Sequence, residues 1–123
     1  MSYTAYSSAL VLNYLFTNTS VTRPTAWNVA LYDATGTELT DANYARQSTT
    51  FTIDDADAND RSEATNSADI TYPALDAAAT VRYIGILDQS ANVIAKIQLA
   101  SDRSLSAGDV FTIPTGELEI LGE

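Results

Sequence analysis

The densest run of potential metal ligands is Asp54-Asp55-Ala56-Asp57-Ala58-Asn59-Asp60-Arg61-Ser62-Glu63. In it Asp55, Asp57 and Asn59 occupy the first three ligand positions of a helix-loop-helix calcium loop. The match ends there. That loop needs glycine at its sixth position for the sharp turn and a bidentate glutamate at its twelfth, where this chain has Asp60 and Asn66. Carboxylates in an irregular loop could still hold a cation at a subunit junction, but in so acidic a chain a solvated acidic loop is the better reading.

Catalytic arrangements fare no better. The chain has no histidine and no cysteine, which removes the usual general base, the thiolate nucleophile and the common zinc sites. Serines and threonines are plentiful, yet none sits in a Gly-x-Ser-x-Gly elbow. Two carboxylates could cleave a glycosidic bond, and Asp33, Glu38 and Asp69 are nominal candidates, but no spacing selects a pair and surface charge explains them. The five glycines are scattered singly, so no phosphate-cradling loop or dinucleotide fingerprint is present. The expectation is a protein with no catalytic residues and no cofactor.

Charge narrows the partners. Sixteen acidic against six basic residues give a net charge of −10, which repels phosphate backbones and anionic lipid surfaces, so neither nucleic acid nor a membrane is expected as a partner. The apolar stretch 9–16 is interrupted by Asn13 and too short to span a bilayer, and the start lacks the basic region of a signal peptide. These features are read as a soluble, unexported product. At 123 residues the chain has room for one core.

The elements that must carry any binding surface are mostly strands. Residues 7–16 are the one helical stretch, with Ser7 as the expected N-cap and Val11, Tyr14 and Leu15 spaced to share a face. Asn18-Thr19-Ser20 and then Pro24 end it. Beyond residue 25, β-branched and aromatic runs alternate with turn clusters, predicting strands at 26–32, 44–53, 68–72, 80–87, 93–100, 109–113 and 117–121. Trp27, Val29 and Leu31 alternate with Asn28, Ala30 and Tyr32, and Phe51 and Ile53 alternate with Thr50 and Thr52, so one side of each strand faces inward. The fold class expected is all-β: an antiparallel β-sandwich, jelly-roll-like or Greek key, over residues 21–123, preceded by an arm of residues 1–20 with one short helix.

Most strand aromatics, among them Trp27, Tyr44, Phe51 and Tyr72, are explained by core packing, although they could line a sugar-binding groove. The terminal aromatics differ. Tyr3, Tyr6, Tyr14 and Phe16 cluster outside the expected sheet together with Leu10, and leaving them exposed would be costly. They are the candidates for a contact with another subunit, against the alternative that the segment caps one end of the sandwich. Arg46 joins them as a strand cation able to pair across the sheet or across an interface, or simply to lie exposed.

One ordered set of segments has a recognisable likeness. Leu12-Asn13-Tyr14-Leu15-Phe16 is followed by Trp27-Asn28-Val29-Ala30-Leu31-Tyr32, Gly36-Thr37-Glu38 and Asn43-Tyr44-Ala45-Arg46-Gln47 ahead of Phe51. Tyr83-Ile84-Gly85-Ile86-Leu87-Asp88, Gly108-Asp109 and Gly116-Glu117-Leu118-Glu119-Ile120 complete it. The set resembles small virion proteins of tailed bacteriophages, variously labelled capsid decoration or cement proteins, minor capsid proteins and tail fibre proteins. The resemblance implies a β-sandwich that binds other virion proteins, and it supplies no catalytic positions. A compact chain without a repetitive fibre shaft points, within that group, to a decoration protein on the outer surface of the head. It would bind the major capsid protein and copies of itself, as a homotrimer, and stabilise the lattice. The alternative is a tail-tip or tail-fibre module that binds a host surface receptor.

Overall fold

The computed structural model describes residues 2–54 and 62–121. In chain order the elements are β1 (Ser2–Tyr3), α1 (Ala5–Phe16), β2 (Trp27–Tyr32), β3 (Gln47–Thr49), β4 (Phe51–Asp54) and β5 (Glu63–Asn66). They continue with β6 (Ile70–Thr71), β7 (Ala79–Leu87), β8 (Val93–Leu105), β9 (Thr112–Ile113) and β10 (Glu119–Leu121). All described strand pairs are antiparallel. A five-stranded sheet ordered β1-β8-β7-β2-β3 accompanies a three-stranded sheet, β10-β5-β4, and the β6-β9 pair. The expected all-β sandwich with one short N-terminal helix is what the chain forms.

The core follows from the alternation along β2. Val29 and Leu31 are fully buried with Val81, Ile84, Ile86 and Ala95 of the same sheet, and they meet Ile70, Tyr72, Phe111, Ile113 and Leu118 from the opposite layer. Burial of each large apolar side chain contributes about 1.5–3 kcal/mol. The other face of β2 is also covered, which simple alternation did not predict. Ala30, Tyr32 and Leu87 form a second buried cluster, with Tyr83 and Val93 against it. Tyr32 reaches this position by lying over Gly85, where an added Cβ would come within 2.5 Å of the ring. Lys96 then caps the tyrosines, its Nζ 4.4 Å from the Tyr32 ring centroid and 5.2 Å from that of Tyr83.

Several boundaries depart from expectation for identifiable reasons. The single strand predicted over 44–53 is two, because the chain leaves one sheet for the other at Thr50. There the Thr50 carbonyl accepts the Ser67 N–H at 3.0 Å and the two hydroxyls pair, so the corner is held by main-chain and side-chain bonds that no periodicity reveals. β8 runs past residue 100 to Leu105 through an irregularity: Tyr83 pairs with Gln98 while Val81 pairs with Arg103. The intervening bulge is tied down by Arg82, whose guanidinium makes two 2.8 Å bonds to Asp102. The helix starts earlier than expected. Thr4 is the N-cap and Ser7 its capping-box partner, the Thr4 hydroxyl accepting the Ser7 N–H at 3.2 Å while Ser7 Oγ accepts the Thr4 N–H at 3.0 Å. Finally, Ser2 and Tyr3 pair with Lys96 and Ala95, so Tyr3, expected outside the sheet, belongs to its edge strand.

Candidate interaction surface

The carboxylates that were nominal catalytic candidates are engaged in holding turns. Asp33 accepts the Thr35 hydroxyl at 2.7 Å and the Thr35 and Thr37 N–H groups at 2.9 and 3.0 Å, and these bonds lower its pKa. Asp69 accepts the N–H and the hydroxyl of Thr115, each at 2.8 Å, with the same consequence. Glu38 receives a two-pronged bond from Arg46, at 2.9 and 2.8 Å, and the Tyr44 hydroxyl at 2.6 Å. The guanidinium first and the phenol second hold its carboxyl below the usual range against the opposing effect of burial. Tyr44 in turn accepts the Leu31 N–H at 3.0 Å and stacks on Tyr72, its ring centroid 6.1 Å away. Arg46 therefore satisfies its charge within the chain, just ahead of β3, where it links the β2–β3 connection to the core aromatics.

The terminal candidates lie elsewhere and come together around α1. The first turn is anchored on the sheet. The Thr4 hydroxyl donates to the Val93 carbonyl at 2.5 Å, and the Tyr6 hydroxyl donates to Asp88 at 3.3 Å. Asp88 is buried at the head of the β7–β8 turn. Burial acts to raise its pKa, but the Asn92 N–H and side-chain amide, the Ser90 N–H and Tyr6 outweigh that and leave it lowered. Ser7 is the buried residue of the helix.

From Leu10 onward the helix leaves the sheet behind. Leu10 and Val11 line one side of an open apolar groove of about 450 Å³, whose floor and far wall include Trp27, Phe51, Ile94 and Ile120. Tyr14 and Phe16 are 66% and 76% exposed, and Leu12 and Leu15 beside them are 57% and 62% exposed. At 100° per residue these side chains sort into two stripes. Ser7, Leu10, Val11 and Tyr14 follow the side that meets the groove, while Ala5, Ala9, Leu12 and Phe16 follow the side turned to solvent. No Asp, Glu, Lys or Arg occurs before Arg23, so the helix offers neither the acidic first turn nor the basic last turn that favours an isolated helix.

Of the sequence candidates, the structure brings Tyr6, Leu10, Tyr14 and Phe16 onto one element, places Tyr3 in β1 and sets Arg46 apart. Leu12, exposed Ile53 and the groove residues Phe51 and Ile94 are members of the surface that sequence reasoning passed over. Phe51 reads as a core aromatic or a groove-lining one and Ile94 as an ordinary strand residue, while Ile53, on the same side of its strand as Phe51, is 60% exposed at the rim of the groove. Leu12 carried a signal, the charge-free run through residue 22. Asp55, Asp57 and Asn59 lie outside the described residues. Among the described residues no cluster of His, Cys, Asp or Glu is arranged to hold a metal ion, and no helix is long and apolar enough to cross a membrane.

Monomeric proteins seldom leave so much contiguous apolar area in water, which makes the exposed helix the candidate interaction surface of this sandwich. No curated protein matches the chain. The family described as podophage GP4 fiber I protein gp80 does match, over residues 2–121. The chain belongs to that family and is a structural protein of the phage virion.

Proposed function

We propose that the protein is a unit of the tail fibre apparatus, a non-catalytic binding module that joins fibre parts and contributes to contact with the host surface. The observation that carries this reading is the family match across almost the whole chain, to a family described as a fibre protein. It supports the fibre reading better than decoration of the head, whose partner would be the major capsid protein. The exposed half of α1 suits such a role, because its first turn is fastened to β8 while Leu12, Leu15 and Phe16 remain available to a neighbour. The carboxylates work as turn and strand acceptors, a structural use consistent with binding without turnover.

Electron cryomicroscopy of intact particles, with the protein labelled or identified from side-chain density, tests the assignment directly. Density on the tail or its fibres is the expected result. Copies distributed over the head lattice would overturn the fibre reading and restore decoration.

A further inference from the structure

The solvent-facing stripe of α1 has a spacing that its own fold does not use. Ala5, Ala9, Leu12 and Phe16 recur at intervals of four, three and four residues, the alternation that lines a helix–helix seam. All four are exposed, the two large ones heavily. The side of the helix that packs on the sheet is the other stripe, so the sandwich itself gives no reason for this pattern. We infer that the N-terminal helix packs against the same helix of a second copy of this chain, along the Ala5–Ala9–Leu12–Phe16 seam.

Two further observations select a second copy as the occupant. The first is charge. Copies of a chain carrying −10 repel one another, and the charge-free segment ahead of Arg23 is where two of them can approach at least cost, with the acidic bodies turned outward. The second is area. The exposed apolar surface of Leu12, Leu15 and Phe16, on this stripe and at its border, comes to on the order of 400 Å² per copy, the size of a small, reversible interface. Small side chains at Ala5 and Ala9 let the two backbones close near the anchored end, while Leu12 and Phe16 fill the space where the helices project. A helix of twelve residues is marginal in isolation, and the capping box and β1 pairing hold it ready for such a contact. The contact does not depend on where in the particle the chain sits: copies found on the head would overturn the fibre reading and leave the seam untouched.

Sedimentation equilibrium of the full chain tests it. The expected result is a multiple of the 13.2 kDa chain mass at micromolar concentration, with association strengthened as salt screens the acidic bodies. The double substitution Leu12→Gln with Phe16→Gln should weaken self-association by about a hundredfold or more while circular dichroism and the melting of the monomer stay unchanged. Tyr14→Gln, equally exposed but on the other stripe, should leave the assembly intact. A wild type that stays monomeric at about 0.5 M salt, where charges are screened beyond about 4 Å, a double variant that still assembles, or association that weakens with salt would each overturn the proposal. So would a wild type that stays monomeric alone and binds through this helix only to a different virion protein.

Discussion

The sandwich body and the N-terminal helix solve opposite problems with the same kinds of residue. In the body, polar groups taken out of water are paired: among the described residues no buried side-chain nitrogen or oxygen lacks a partner. Asn66 shows how far this goes. Its amide donates to the carbonyls of Ala68 and Pro114 at 2.9 and 3.0 Å, and its side-chain oxygen accepts the Leu118 N–H at 2.9 Å. Its backbone N–H and carbonyl bond to Leu118 and Gly116, which ties β5 to the turn before β10. In the helix the order is reversed: beyond the first turn, large apolar groups stand in water and little polar chemistry holds them. A region stable by its own packing turns its apolar side chains inward, whereas one that leaves them out is, on the proposal above, completed by a partner.

Substitutions can break this contrast at either end. The largest effect is expected at Asn66→Asp, which turns two donors into acceptors facing carbonyls and buries a charge. It should destabilise the fold by about 3–5 kcal/mol in denaturant unfolding, with part of the loss regained as acid protonates the new carboxyl. A change of under 1 kcal/mol would show that the Asn66 junction opens without unfolding the body.

Gly85→Ala comes next, because the new methyl group meets the Tyr32 ring, itself held under Lys96. A loss of about 1–3 kcal/mol is expected from moving that ring, and pairing it with Tyr32→Ala should recover part of the cost by making room.

Glu38→Gln tests the polar edge of the body. At neutral pH the loss of the paired charge should cost about 1 kcal/mol, reduced by the partial exposure of Arg46. The sign with pH follows from the lowered pKa of Glu38. Between its ordinary value of 4.5 and the lower folded value, the unfolded chain binds the proton more readily, so the stabilisation is present above 4.5 and is lost as pH falls further. Thermal melts of the two proteins should therefore converge as the pH is taken below 4.5, and a gap that persisted or widened would remove the ion pair as its cause.

The smallest effect on monomer stability belongs to the most exposed residues. Leu12→Gln and Phe16→Gln should each change unfolding of the isolated chain by no more than about 0.5 kcal/mol, since neither packs in the core. A destabilisation comparable with that at Gly85 would mean that the helix is a working part of the sandwich and would erase the distinction between the two regions.

How much of this was legible beforehand differs between the regions. The inward residues of β2 were readable because strand alternation is a local pattern. The long strand predicted over 44–53 was misread because Thr50 turns between sheets through bonds to Ser67, a residue distant in sequence. At the candidate surface, Tyr14 and Phe16 stood out by residue type. Leu12 and the small Ala5 and Ala9 did not, because a stripe acquires meaning only once it is known which side of the helix the sheet occupies.

The sequence by itself determined the class of the molecule: a strand-rich, acidic chain without histidine or cysteine, whose first charged side chain of either sign is Arg23. Those properties depend on composition and on short-range periodicity, which act before any tertiary contact forms. Only the tertiary structure decided that Arg46 closes on Glu38, that Asn66 locks β5 to a turn far along the chain, and that α1 is fastened by its first turn alone. Each of these depends on which distant groups share a place, and for the helix that placement is what leaves one apolar stripe on the groove and the other in water.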